Sequence, residues 1–284
     1  MPNPIRTKIY ETYLKAIGVK NPDELYRRIW SEGERGHSLG RHLVGHLPKN
    51  PRCTLCNAPF RGFGAPLMRL LGKPPSTRNP RFCAACEDFM TRHQGGAEVE
   101  LTMLFADVRG STTLAEQMSA SDYSRLMKRF YVAATEVLVS TDALIERLVG
   151  DEVVGLFIPG YAGPEHARQA VQAAQELLHV TGHWDPGGAW LPIGVGVHTG
   201  VAYLGAIEGS RGTGADITAM GDNVNITARL SSKAAVGEIL LSDATYAAAK
   251  LDLGNLEQRQ LELKGKNELV NVRVLGVMSS PNGL

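Results

Sequence analysis

The chain has 284 residues, of which 43% are hydrophobic and 21% are charged, a composition typical of a folded globular protein. Its formal net charge of +1 excludes a global polyanion-binding signature, and no local basic patch stands out, so nucleic acid is not an expected partner. No apolar run approaches the roughly 18 residues of a membrane span, and the first residues lack the apolar core of a signal peptide. We therefore expect a cytoplasmic protein with no membrane span.

Apolar residues at helical spacing predict two helices within residues 6–33, with a break near residues 18–22. Asn21 followed by Pro22 is typical of an N-cap and the first residue of a helix. A stretch rich in Gly and His follows, and we assign residues 1–52 to an N-terminal helical region. His42 and His46 would share a helical face and could bind a metal or haem, but a plain surface or core role is the simpler interpretation for them and for His37.

The only four cysteines form two Cys-x-x-Cys pairs, Cys53 with Cys56 and Cys83 with Cys86, separated by 26 residues rich in Pro and Gly. In a cytoplasmic chain this spacing favours a metal site over disulfides, and it is close to that of a zinc ribbon. We predict a four-cysteine metal-binding module over residues 53–95 that holds a structural Zn²⁺ ion. An iron–sulfur cluster is the main alternative, and four free buried thiols are the other.

From residue 98 onward, strand and helix patterns alternate. A buried strand is predicted at Glu98–Phe105, a long helix at Ser111–Val139, and a hairpin that turns at Gly150-Asp151. A second hairpin is predicted around Thr199-Gly200. The later predicted elements are helices and strands near residues 164–180, 223–234, 238–242, 244–250, 260–264 and 270–277. This order predicts one mixed α/β sheet covered by helices.

An acidic pair marks the first candidate site. Asp107 ends a buried apolar strand, where a carboxylate is costly unless it is paired or binds a cation. Gly110, Ser111 and Thr112 open a helix whose free amides suit a phosphate. Asp151 lies at the tip of the next hairpin, so neighbouring strands would bring the two carboxylates together as ligands for Mg²⁺. Each feature alone is also explained by an ordinary cap or turn.

Five segments resemble, in order, the motifs of class III adenylate and guanylate cyclases: FADVRGST, VGDEVVGLF, IGVGVHTG, MGDNVNITARL and LKGK. The matching region covers residues 98–277. The resemblance implies a ferredoxin-like catalytic domain of the α/β (α+β) class over residues 96–284. The smaller N-terminal helical and metal-binding module would regulate it or support its dimer.

The resemblance also implies roles for individual residues. Asp107, Val108 and Asp151 would hold two Mg²⁺ or Mn²⁺ ions per site, and Gly110, Ser111 and Thr112 would contact the substrate. Asn225 and Arg229, four apart on one helical face, would orient the ribose and stabilise charge on the α-phosphate. Lys264 would hold the terminal phosphates. Because the family builds each site from two subunits, and this chain carries both halves, a head-to-tail homodimer is expected.

The position that reads adenine in such adenylate cyclases is usually Lys, and here it is Arg147. Arg147 can donate to N1 of adenine, and Thr218, at the partner position, can accept from N6. We therefore expect an adenylate cyclase that converts ATP to cyclic AMP and pyrophosphate. The alternatives are a guanylate cyclase, a weak or inactive cyclase-fold regulator, and a metal-dependent sensor that uses the cyclase domain as a dimerisation scaffold. We interpret His198 as structural.

Overall fold

The computed structural model describes residues 21–31, 52–53, 55–56, 58–77, 81–208, 215–262 and 269–276. The chain divides into two compact units, one of residues 1–99 with 203–218 and the other of residues 100–202 with 219–284. His37, His42, His46 and Lys264 lie outside the described residues. None of the described helices is long and apolar enough to cross a membrane. The predicted domain limits, residues 1–52, 53–95 and 96–284, stay a prediction.

Three helices belong to the first unit: α1 (Pro22–Ser31), α2 (Gly64–Leu70) and α3 (Ala84–Arg92). The predicted start of α1 is confirmed, because the amide of Glu24 donates to the Asn21 side chain over 2.8 Å. Tyr26 and Trp30 of α1 are buried, and Tyr26 meets the ring of Phe89 on α3 edge-on at 5.9 Å. These aromatic contacts hold α1 against α3.

Eight strands and six further helices complete the described chain. The strands are β1 (Gly95–Val108), β2 (Leu144–Val149), β3 (Glu152–Phe157), β4 (Ile193–Glu208), β5 (Ala215–Met220), β6 (Glu238–Ser242), β7 (Glu257–Leu261) and β8 (Val270–Gly276). The helices are α4 (Ser111–Gln117), α5 (Ala120–Ser140), α6 (Pro159–Ala162), α7 (His166–Val180), α8 (Asp222–Lys233) and α9 (Asp243–Ala249). The strand order is β2-β3-β1-β4-β6-β8-β7, with β5 paired to β4. Strands β4 and β6 are parallel, whereas β3 runs antiparallel to both β1 and β2. The predicted fold class, a mixed sheet covered by helices, is confirmed.

Alternation along the strands separates two cores. In β6, Ile239 and Leu241 belong to the larger core, which includes buried residues of α5, α7 and α9. Leu240, between them, points the other way and packs with Ile226 and Leu230 of α8. Helix α8 therefore covers the opposite face of the sheet from α5, α7 and α9.

The predicted second hairpin is wrong, because β4 runs without a turn through Thr199 and Gly200. Glycines in this strand instead allow α8 to pack closely against the sheet. A Cβ atom on Gly196 would lie 2.3 Å from the backbone nitrogen of Ser231, and one on Gly194 would lie 2.8 Å from the carbonyl of Ala234. These two glycines leave the sheet surface bare where α8 approaches it, while Val195 and Val197 fill the core on the other side.

The predicted helix over Ser111–Val139 is in fact two helices. The backbone is extended at Met118 and Ser119, and Ser119 caps α5 by accepting a hydrogen bond from the amide of Asp122 over 3.1 Å. The helical spacing of apolar residues continues through the break, so periodicity alone predicts one helix. The capping hydrogen bond from the Asp122 amide to Ser119 instead starts a second helix there.

Gly196→Ala is expected to lower the free energy of unfolding by about 1–3 kcal/mol, because its new methyl would clash with the backbone of α8 rather than with a flexible side chain. Gly187→Ala is the matched control, since nothing lies within 4 Å of a Cβ at that position. Urea unfolding of both variants measures the difference. Equal midpoints for the two variants would contradict the close packing of β4 against α8.

Candidate active site and cysteine centre

Two aspartates meet at the end of neighbouring strands. Asp107, one residue before the end of β1, lies opposite Glu152 of β3 in the antiparallel register. The amide of Val108 donates to the backbone carbonyl of Asp151 over 3.1 Å. Ser111, the first residue of α4, donates from its hydroxyl to the Asp151 carboxylate. The structure therefore brings together Asp107, Val108, Ser111 and Asp151.

We call Asp107, Asp151 and Glu152 the acidic corner, and the charge of Asp151 helps to raise the pKa of both Asp107 and Glu152. Burial raises the pKa of Asp107, Arg109 opposes that increase, and the charge of Asp151 adds to it. Burial also raises the pKa of Glu152, where Arg147 opposes the increase and Asp107 adds to it. Such a cluster favours a bound cation, because added positive charge stabilises the ionised carboxylates.

Arg109 is a site residue that sequence reasoning missed. Its guanidinium forms an ion pair with the Asp107 carboxylate and donates to the backbone carbonyls of Ser232, over 3.0 Å, and Ala234, over 3.4 Å. These carbonyls lie at the carboxyl-terminal end of α8, where a helix favours positive charge. Arg109 thus ties the end of β1 to the end of α8, a link that only the folded chain reveals.

Two glycines allow the turns that present the aspartates. Gly110 has a φ of 68° as the N-cap of α4, and Gly150 has a φ of 64° between β2 and β3. The hydroxyl of Tyr131 on α5 donates to the carbonyl of Gly150 over 2.7 Å. Helix α5 therefore fixes the turn that carries Asp151.

The second predicted pair lies on α8. Asn225 is exposed and Arg229 is half-buried, while Ile226 and Leu230 on the adjoining face pack on the sheet. Within the part of the chain that the structure describes, no hydrogen bond or ion pair joins Asn225 or Arg229 to Asp107 or Asp151. Both side chains are thus on α8, and among the described residues neither is bonded to the two aspartates of the acidic corner.

His198 anchors the start of α8. Its Nε2 lies 2.9 Å from the side-chain oxygen of Asn223, and its Nδ1 lies 2.8 Å from the hydroxyl of Ser242. The amide of the Asn223 side chain donates to the carbonyl of Val201 over 2.8 Å. These contacts fit the structural interpretation of His198 and fix the backbone two residues before Asn225.

The two predicted base-reading positions lie on different strands. Arg147 of β2 has 54% of its side chain exposed, and its Nη1 is 3.9 Å from the Glu152 carboxylate. The pairing of β2 with β3 shifts register between Ile145 and Arg147, so Glu146 is an extra residue in the strand. Glu146 is buried and accepts a hydrogen bond from the amide of Ala219 over 3.2 Å. Thr218 is half-buried in β5, in the first unit.

The four cysteines come together as predicted. Their sulfur atoms all lie within 4.8 Å of one another, and the Sγ atoms of Cys56 and Cys83 are 3.8 Å apart. A tetrahedron with metal–sulfur bonds of about 2.3 Å has edges of about 3.8 Å, so the cluster matches the dimensions of a single ion. All four residues are free cysteines. They could therefore hold one metal ion in a closed, four-coordinate site.

The surroundings shift the pKa values of the four thiols in opposite directions. Hydrogen bonds from Cys53 and then Cys83 hold the pKa of Cys56 well below its usual range. Hydrogen bonding from Cys53 also lowers the pKa of Cys83. Cys83 is the N-cap of α3, and its backbone carbonyl accepts a hydrogen bond from the amide of Glu87 over 3.0 Å. Burial raises the pKa of Cys53 well above its ordinary value. A divalent ion would resolve this conflict by stabilising all four as thiolates.

Comparison with known proteins gives consistent matches. A family model described as the adenylate and guanylate cyclase catalytic domain matches residues 96–276. An adenylate cyclase of Mycobacterium tuberculosis (strain ATCC 25618 / H37Rv) is 29% identical over 178 residues, which cover 62% of this chain and 40% of that protein. The chain thus spans about two fifths of the length of this curated relative.

Solved structures match the same region. The guanylyl cyclase Cya2 has a TM-score of 0.58 and 25% identity, covering 64% of this chain and 95% of that one. The adenylyl cyclase CyaB from P. aeruginosa has a TM-score of 0.56 and 28% identity, covering 64% of this chain and 96% of that one.

Proposed function

Since residues 96–276 make this chain a member of the adenylate and guanylate cyclase catalytic domain family, we propose that it converts ATP to 3′,5′-cyclic AMP and pyrophosphate. The observation that carries the proposal is the acidic corner, where Asp107, near the end of β1, and Asp151, just before the start of β3, lie beside Ser111. The names of the adenylate cyclases that the chain resembles favour ATP over GTP. In the proposed reaction, the ribose 3′-hydroxyl attacks the α-phosphate, and pyrophosphate is released.

The chain's own residues fit a divalent metal. Asp107 and Asp151 offer hard carboxylate oxygens and Val108 offers a backbone carbonyl, which are the ligand types that Mg²⁺ and Mn²⁺ prefer. A metal pair held there would lower the pKa of the 3′-hydroxyl and neutralise charge on the phosphates. Arg109 would keep Asp107 ionised and oriented, and Gly110, Ser111 and Thr112 at the start of α4 would contact the phosphates.

The other half of each site would come from a second copy of the chain. Asn225 and Arg229 lie on the flank of α8, with the Asn225 side chain facing solvent in the single chain. A head-to-tail homodimer would place them over the acidic corner of the partner. Arg229 would stabilise charge that develops on the α-phosphate, Asn225 would orient the ribose, and Lys264 would hold the terminal phosphates.

Base selection would rest on Arg147 and Thr218. The Arg147 guanidinium is exposed and forms a long ion pair of 3.9 Å with Glu152, so it can turn to donate to N1 of adenine. The alternative, a guanylate cyclase, is favoured by one observation. Glu146 adds a buried carboxylate to the same strand, and guanine offers N1 and N2 donors that need acceptors.

The cysteine centre would hold Zn²⁺ and regulate the cyclase. Sulfurs within 4.8 Å of one another enclose a single ion more readily than the larger core of an iron–sulfur cluster. In the first unit, Arg81, two residues before Cys83, pairs with Asp216 of β5 over 2.7 Å. Asp216 lies two residues before Thr218, so the metal site is linked by one ion pair to a strand that would read the base.

A product assay tests the enzymatic proposal. Purified protein with ATP and Mg²⁺ or Mn²⁺ is expected to yield cyclic AMP, with GTP giving at least about tenfold less product, a difference of one base-selective interaction of roughly 1.4 kcal/mol. Asp107→Ala is the inactive control. Equal or greater use of GTP would favour the guanylate cyclase. No product from either nucleotide would leave an inactive cyclase-fold regulator.

A further inference from the structure

Helix α2 carries an apolar stripe on its outer side. Phe63, Leu67, Leu70 and Leu71, which we call the α2 stripe, are 101%, 54%, 84% and 60% exposed. Their spacing of i, i+4, i+7 and i+8 places them on one helical face. Ala65 and Met68, on the other face, are buried in the first unit. Helix α2 therefore has apolar residues on both sides, and the outer side has no partner among the described residues of the chain.

An exposed apolar stripe of this kind is unusual on a protein surface. Single exposed apolar residues are common, but four large ones within nine residues form a contiguous patch, and such patches mark interaction sites. Phe63 projects as fully as it would in an extended peptide, so the stripe is a protrusion and not the wall of a groove.

The segment around the stripe is strongly basic. Residues 52–86 contain six of the chain's 30 Lys and Arg residues and none of its 29 Asp and Glu residues, and five of these six basic residues lie in the described part of the chain. Arg61 and Arg69 flank the α2 stripe and are exposed. The near-neutral charge of the whole chain conceals this imbalance, and the expectation that no local basic patch exists is corrected here. A site of four thiolates with one divalent ion carries a formal charge of about −2, which leaves the segment positive.

We propose that the α2 stripe and its basic flank dock on a membrane surface that contains anionic lipids. The apolar side chains would enter the boundary between headgroups and acyl chains, and the Arg and Lys side chains would meet the lipid phosphates and carboxylates. This surface lies in the first unit, and the inference goes beyond the proposed cyclase reaction and does not depend on it.

Charge and shape favour lipid over the other occupants. A second copy, docked through the same surface, would place one positive segment against another. Nucleic acid would engage the cations but would leave four projecting apolar side chains without a partner. A bilayer surface satisfies both features, because it accepts protruding apolar side chains directly beneath a negatively charged layer.

Vesicle sedimentation tests the proposal on the whole 284-residue chain in its metal-loaded form. Sucrose-loaded vesicles of about 30% phosphatidylserine in phosphatidylcholine are expected to bind the protein at least about tenfold more tightly than pure phosphatidylcholine vesicles, with binding weakened at about 0.5 M salt. Leu70→Glu is expected to reduce binding at least about tenfold, because it places a charge in the inserted face. Arg69→Ala should weaken binding by about fivefold, the contribution of one cation near such a surface.

Val236→Glu is the matched control, since Val236 is an exposed apolar residue of the second unit. It should bind vesicles like the wild type. Circular dichroism and metal content would show that each variant is folded. No preference for phosphatidylserine vesicles, or wild-type binding by Leu70→Glu, would overturn the proposal. Loss of dimers in Leu70→Glu without vesicle binding by the wild type would assign the stripe to a second copy, and binding of duplex DNA instead of vesicles would assign the basic flank to nucleic acid.

Discussion

An equimolar mixture of Asp107→Ala and Arg229→Ala chains is expected to recover about a quarter of the wild-type cyclase rate, although each variant alone makes almost no product. Asp107→Ala would remove a proposed metal ligand from every site. Arg229→Ala removes a charge that would stabilise the transition state, a loss of roughly 10²–10³ in kcat. In a head-to-tail dimer the two defects fall in the same site of a mixed pair, which leaves the other site intact. Half of randomly exchanged dimers are mixed and each has one complete site, so about a quarter of all sites are active.

The matched control combines both changes in one chain. Asp107→Ala with Arg229→Ala, mixed with an equal amount of wild-type chains, spoils both sites of each mixed dimer, so the mixture should show about half the rate of the same amount of wild-type chains alone. Cyclic nucleotide formation after subunit exchange measures both mixtures, and light scattering verifies the dimers. If the two single variants stay inactive as mixed dimers, each site is built within one chain and the proposed assembly is wrong.

Replacing Cys53 and Cys83 by Ser is expected to abolish metal binding at the cysteine centre and to unfold the first unit. Structural Zn²⁺ contributes apparent binding free energies of about 10–16 kcal/mol in small metal modules, and this energy is lost when the ligand set is broken. Cys53 and Cys83 are both buried, so the two Ser hydroxyls would be buried polar groups without a metal to bind. Metal analysis, limited proteolysis and thermal unfolding would measure the loss.

Visible absorbance of the unsubstituted protein distinguishes the candidate metals, and the double Cys→Ser protein tests the role of the module. Zinc protein should be colourless, whereas an iron–sulfur cluster would absorb in the visible range. Ser140→Ala, which removes a hydroxyl from the last residue of α5, should keep the metal and lower the melting temperature little. If the double Cys→Ser protein keeps its dimer and its cyclase kinetics, the centre is structural only and the proposed regulation is wrong.

The acidic corner could be predicted from sequence because its signals are local. A strand end at Asp107, a Gly-Asp turn at Asp151 and a helix start at Ser111 are each encoded by neighbouring residues. Arg109 could not be assigned in this way. Its partners are the carbonyls of Ser232 and Ala234, which are 123 and 125 residues away, and nothing beside Arg109 announces them.

The errors share one physical cause, which is that local patterns do not record pairing with distant elements. Thr199-Gly200 resembles a turn, but a Cβ on Gly200 would lie 2.6 Å from the side chain of Asn223, so this glycine makes room for α8 in a continuous strand. The extra residue at Glu146 was equally hidden, because the register between β2 and β3 depends on pairing across the hairpin.

The residues that make up the first unit determine where a shortened catalytic fragment can begin. Residues 203–218 group with the N-terminal 99 residues. Within that unit, Asp216 forms an ion pair with Arg81, and the amide of Gly96 donates to the Asp23 carboxylate over 3.0 Å. A shortened gene that starts at residue 96 would follow the family boundary and yet discard both partners. A shortened catalytic fragment should therefore start before Pro22. Alternatively, Asp216 could be replaced by Asn, which removes the carboxylate that has lost its ion-pair partner.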